Sequence, residues 1–146
     1  MATPYDKRFG FLVSDIGRLM STEFDRRARG RLELSRAQCR MALYLSFFGQ
    51  MTQAQLAETL DVTPMTVARM LDRMQQGGWI VRTPVPNDRR AFHVRATPKA
   101  EEMLAEALQV GDELNDFALR GLSREEKDVL IGLLQKVRSN LAPPDR

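Results

Sequence analysis

Apolar residues recur along most of this chain at helical spacing. Phe9, Leu12, Ile16, Leu19, Met20 and Phe24 mark one face of a long amphipathic helix. Thr3-Pro4 supplies a cap followed by proline at the first helical position, and Gly30 marks the end. Ser35 with Gln38, Thr52 with Gln55 and Ser123 with Glu126 fit the capping box, in which a hydroxyl and a side chain three residues on satisfy each other's backbone donors. Thr63-Pro64 and Thr97-Pro98 repeat the cap-plus-proline pattern, while Gly49 and Gly77-Gly78 supply stops. Six helices are predicted.

Between Gly78 and Thr97 the period changes. Trp79-Ile80-Val81 opens an extended run, Pro84 and Pro86 exclude helix, and Asn87-Asp88 signals a turn. Phe92, Val94 and Ala96 then alternate with His93 and Arg95. A hairpin is expected, with Asp88-Arg89-Arg90 at its tip and Trp79 either anchoring its base or stacking on a base. The alternation turns His93 outward, where a strand histidine meets a phosphate or does nothing.

Two short helices and a hairpin in this order predict a winged helix-turn-helix within a mainly α fold that carries a small β wing. In the first helix, from Gln53 to Leu60, Leu56, Ala57 and Leu60 face inward; Asp61-Val62-Thr63 forms the turn with Val62 as its plug. The second, 64–76, hides Val67, Ala68, Leu71 and Met74. That leaves Met65, Thr66, Arg69 and Arg73 outward as groove readers: threonine for a phosphate or base edge, methionine for a thymine methyl, arginine for guanine. The wing spans 79–97. The whole is one domain, 1–146, with the reading lobe at 35–97, helices at 1–34 and 98–146 left for dimerisation, and a disordered tail, Pro143-Pro144-Asp145-Arg146.

Charge sharpens the picture by its distribution, because the net value is only +3. From Thr63 to Arg95, Arg69, Arg73, Arg82, Arg89, Arg90 and Arg95 face only Asp72 and Asp88. The next segment holds Glu101, Glu102, Glu106, Asp112, Glu113 and Asp116 with no lysine or arginine between them, and is read as a solvated helix face. A basic centre beside an acidic helix suits a protein that offers one face to a polyanion.

Composition excludes several classes. No apolar run approaches the roughly 20 residues of a membrane span, and the N-terminus lacks a secretory pattern, so no membrane partner and a cytoplasmic address are expected. One cysteine, Cys39, and one histidine, His93, give no disulfide and no Cys/His metal set, and no cofactor is expected. There is no Gly-rich phosphate loop, nucleophile elbow or catalytic triad, so an enzyme is not expected.

The terminal helices carry more apolar surface than one small lobe can cover. Val129, Leu130, Leu133, Leu134, Val137 and Leu141 lie on the last helix, and Met103, Leu104, Ala107, Leu108, Leu114 and Phe117 on the one before it. Leaving such side chains exposed forgoes roughly 1.5–3 kcal/mol each, which favours a homodimer over packing within one chain.

The residues from Leu34-Ser35-Arg36-Ala37-Gln38 through Gln55-Leu56-Ala57, Thr66 to Met74, Gly77 to Arg82 and Asn87-Asp88-Arg89-Arg90 to Thr97-Pro98-Lys99 resemble the multiple-antibiotic-resistance regulator (MarR) family. Ala96 and Ala100 depart from it, standing where the family usually has leucine and glycine. The resemblance implies a homodimeric transcriptional regulator, commonly a repressor, bound to a pseudo-palindromic double-stranded DNA operator. It implies that Arg90 enters the minor groove and that Asp88 holds the wing; Thr63, Met65, Thr66, Arg69, Arg73 and Arg89 complete the candidate DNA-binding set. A small aromatic or anionic effector is implied between the lobes, with Ile16, Met20, Phe24, Cys39, Arg40 and Tyr44 as its candidate residues and Met41 and Phe48 beside them. One branch of the family senses peroxides through a cysteine in the first helix. Cys39 lies in the second, among apolar neighbours, and is read as a buried small hydrophobe. The alternative function is a winged-helix protein-interaction or architectural module without sequence-specific readout.

Overall fold

The computed structural model describes residues 3–142, and the tail from Pro143 onward lies outside them. The described chain forms six helices and three strands, in the order α1 (Phe9–Ala28), α2 (Arg36–Phe48), β1 (Met51–Thr52), α3 (Gln53–Leu60), α4 (Pro64–Gln76), β2 (Ile80–Val85), β3 (Asp88–Ala96), α5 (Pro98–Ala118) and α6 (Arg124–Leu141). It divides into two compact units, Met1–Leu114 and Asn115–Arg146.

The three capping boxes predicted at Ser35, Thr52 and Ser123 are all formed, each with both reciprocal hydrogen bonds. The first helix starts later than its Thr3-Pro4 signal. Thr3 Oγ1 donates to Asp6 Oδ1 at 2.7 Å, and the amides of Asp6 and Arg8 donate to the carbonyls of Thr3 and Tyr5. These three-residue spacings close separate turns instead of opening an α-helix, which begins at Phe9 without a side-chain cap.

The sheet is antiparallel in the order β1-β3-β2. Its short strand β1 was not foreseen, because Thr52 signalled a helix cap and here serves both as the α3 cap and as a strand residue. Met51 pairs with Val94 and Thr52 with His93, so β3 is the central strand. His93 lies on the face opposite the buried Val94, as alternation predicts, but is half-buried there because Thr52 and Thr83 flank it on the neighbouring strands.

The core of the first unit joins Phe24 and Leu34 with Met41 and Leu45 of α2, Leu56 of α3, Val67, Leu71 and Met74 of α4, Trp79, Ile80, Val94, and Leu104, Ala107, Val110 and Leu114 of α5. Four residues assigned above to a dimer face are thereby accounted for differently. Leu104, Ala107 and Leu114 are buried in this core, and Met103 packs against it, so these side chains are covered within the chain. The acidic face of α5 is also less solvated than charge patterning suggests. Arg31 Nε donates to Glu106 Oε1 at 2.6 Å, while its terminal nitrogens donate to both carboxylate oxygens of Glu113 at 2.8 and 3.1 Å. These bonds hold the Glu113 carboxyl below its ordinary range.

In the second unit, α6 has no buried residue, and Val129, Ile131, Leu133, Leu134 and Leu141 are exposed. Arg120 lies 4.1 Å from the centroid of the Phe117 ring.

Candidate nucleic-acid interface

The turn between α3 and α4 is made by Asp61, whose left-handed backbone (φ 52°) reverses the chain within one residue. Val62 N–H returns to the Ala57 carbonyl at 3.1 Å, and the Val62 side chain packs half-buried against the core. Thr63 then caps α4. Its Oγ1 accepts from the Thr66 amide at 3.1 Å and lies 2.9 Å from the Thr66 hydroxyl. Both threonines thus sit at the helix N-terminus, where amide groups and the helix dipole favour a phosphate.

Helix α4 is sharply two-faced. Val67, Leu71 and Met74 are buried, while Met65, Thr66, Arg69 and Arg73 are exposed, Met65 to 65%. Exposing a methionine this far at the start of a helix serves no packing purpose. The Arg69 and Arg73 guanidinium groups have no hydrogen-bond or ion-pair partner among the described residues and are one helical turn apart. All four side chains predicted to read the groove share the open face.

The wing is a hairpin whose register runs from Ile80 against Ala96 to Val85 against Asp88, with an irregularity at Pro84 and Val85. Asn87 takes the left-handed conformation of the tight turn (φ 65°). Asp88 Oδ1 accepts from the Arg90 amide at 3.0 Å, which fixes the start of β3 and leaves the Arg89 and Arg90 side chains exposed at the tip.

The base of the wing is anchored by Trp79, one of the two roles that its sequence position allowed, and by polar groups that sequence patterning did not single out. Trp79 is buried and its amide donates to Met74 O at 2.8 Å. Thr97 Oγ1 donates to Gly78 O and Lys99 Nζ to Gly77 O, each at 2.6 Å. Arg82 of β2 donates to Gln75 and Asp72 of α4, also at 2.6 Å. The departures at Ala96 and Ala100 leave this junction intact: Ala100 is fully buried and Ala96 packs against the core.

The six effector candidates are more scattered. Phe24 and Cys39 belong to the core, Met20 packs against it, and Ile16 is exposed on α1. Burial, and to a lesser degree Asp25, pushes the Cys39 thiol up to about 11. Arg40 lies 5.9 Å above the Tyr44 ring, which stacks on Phe48 with centroids 6.4 Å apart. Tyr44 and Phe48 line an open cleft of about 420 Å³ with Gln50, Met51, Gln55, Glu58 and Thr59; the other five candidates do not line it.

An outward helix with exposed arginines, a bracing helix and a hairpin with a basic tip define a class of protein, the winged helix-turn-helix DNA-binding transcription regulators. Residues 32–91 match the model of the MarR family. Three solved structures share the fold over nearly their whole length. A cysteine-to-serine mutant of MarR from E. coli, complexed with operator DNA, is 25% identical, with a TM-score of 0.78 covering 93% of this chain and 99% of that one. A probable transcriptional regulator from Pseudomonas aeruginosa is 27% identical, with a TM-score of 0.75 and coverage of 90% and 98%. BpsR of Bordetella bronchiseptica, whose DNA binding is regulated by 6-hydroxynicotinic acid, is 18% identical and shares the fold with a TM-score of 0.78 and coverage of 94% and 98%.

Proposed function

We propose that this protein is a homodimeric transcriptional repressor. It binds a pseudo-palindromic operator, with α4 in the major groove and wing residues 79–97 along the minor groove, and a small aromatic or anionic effector releases it. The observation that carries the reading is the shared exposure of Met65, Thr66, Arg69 and Arg73 on α4 together with Arg89 and Arg90 on the wing tip. Base edges discriminate by hydrogen bonding to the helix, whereas a minor-groove arginine senses width and negative potential. Operator binding by E. coli MarR supports the same use of the fold.

Dimerisation is supported by the unburied α6 face and by Phe9, Leu12, Ile16 and Leu19 exposed on α1. Two such reading heads would address successive major grooves about 34–36 Å apart. The effector reading rests on the cleft beside Tyr44, with the Arg40 guanidinium close to that ring.

In vitro selection from a randomised duplex library tests the proposal. The expected product is an inverted repeat, bound in preference to its scrambled sequence and with affinity falling steeply as salt rises. Equal affinity for selected and scrambled duplexes would sink it in favour of an architectural module.

A further inference from the structure

We propose that Arg82 is a positioning residue that locks the wing to the recognition helix, and that Asp72 and Gln75 are its partners in this role. The inference rests on the DNA-binding reading above. By composition Arg82 is one more positive charge on the reading lobe, but its guanidinium is already engaged. Nε donates to Gln75 Oε1 and a terminal nitrogen to Asp72 Oδ1, each at 2.6 Å, and the side chain is only 22% exposed. Arg69, Arg73, Arg89 and Arg90, in contrast, have no such partners among the described residues.

The two acceptors are three residues apart on α4, so they present side by side to two edges of one planar guanidinium. Arg82 lies in β2 opposite Val94, beyond the Gly77-Gly78 joint through which the chain leaves α4. The bonds of Trp79, Thr97 and Lys99 tie the hairpin down at its base. A hairpin held only there can still pivot about that base. The fork from Arg82 adds a second point of attachment further along the strand, which removes the pivot. The arginines of α4 and those of the wing tip are then held as one rigid set, so the cost of ordering them is met before DNA arrives.

Charge and bracing predict opposite signs for one substitution. Asp72→Ala deletes a negative charge from the DNA-reading lobe, and electrostatics alone makes binding tighter. Loss of the brace makes it weaker. Binding of the full-length protein to the tightest duplex recovered by selection, followed by fluorescence anisotropy, is expected to weaken roughly tenfold in Asp72→Ala and at least as much in Arg82→Ala. Asp72→Asn, which keeps an acceptor oxygen for Arg82, is expected to retain most of the affinity. Arg90→Ala should also cost less in the Asp72→Ala background than in the wild type, because an unbraced wing no longer delivers Arg90 to its groove. Binding by Asp72→Ala that equals or exceeds wild type, or strict additivity with Arg90→Ala, overturns the brace and leaves the DNA-binding reading standing. A wild-type protein that selects no duplex overturns that parent reading and the brace with it. Asp72 is 58% exposed, and an unchanged circular dichroism spectrum and melting curve for its variants assign the loss to positioning.

Discussion

Lys99 lies across the face of Trp79, with Nζ 4.1 Å from the ring centroid, and the same ammonium donates to the Gly77 carbonyl at 2.6 Å. The first turn of α5 is thereby fastened to the residue that caps the recognition helix. A cation over an indole contributes about 0.5–1 kcal/mol at an accessible site, and the hydrogen bond adds about 1 kcal/mol. Lys99→Ala should therefore lower stability by about 1–2 kcal/mol in urea titrations. Gly77 is restricted by space rather than by backbone angle. A Cβ there would fall 2.5 Å from Trp79 Nε1, so Gly77→Ala must displace a buried indole at a cost of about 1–3 kcal/mol.

Alanine at Arg69, Arg73 or Arg90 should weaken operator binding by about 1–3 kcal/mol each without changing the melting temperature, since all three side chains are exposed. Anisotropy titrations at several salt concentrations separate the roles. An arginine on a phosphate lowers the salt slope by about one when removed, whereas one on a base edge relaxes sequence preference.

Ile16→Glu and Leu133→Glu place charges on exposed apolar positions of α1 and α6. Sedimentation velocity should show both shifted toward monomer, with the secondary structure retained. Dimerisation equal to wild type in both would remove these faces from the interface.

Cys39 should react slowly with thiol reagents at neutral pH, because it is buried and its thiol is raised to about 11 from an ordinary 9.0. The folded state holds this proton where the unfolded chain releases it, so the contribution to stability is full below about pH 9 and is lost as pH rises through 11. Cys39→Ala should flatten that alkaline limb in denaturation curves taken across the range.

The acid limb has the opposite sign. Hydrogen bonding and charge from Arg26, with a further contribution from Arg27, lower the Glu23 carboxyl to about 2, and Arg31 lowers Glu113. Both carboxylates stabilise the fold above their unfolded values, and the Glu23 contribution is lost between about 4.5 and 2. Replacing Arg31 with alanine should flatten stability against pH on the acid side, as read by thermal melts.

The sequence by itself determined the helix-turn-helix and the wing, because caps, prolines and apolar periodicity act within a few residues. The open face of α4 was legible for the same reason: a helix with Val67, Leu71 and Met74 inside must turn Arg69 and Arg73 outward. Only the tertiary structure decided what α5 does. Its apolar residues look alike whether they meet a partner subunit or their own chain, and Leu104, Ala107 and Leu114 are buried in the chain's own core. Tertiary structure also separated the arginines. Arg31 is committed to α5, Arg82 to α4, and Arg69 and Arg90 remain outward. Local sequence encodes the periodicity of one element, but the partner of a charge is set by whichever distant element folds against it.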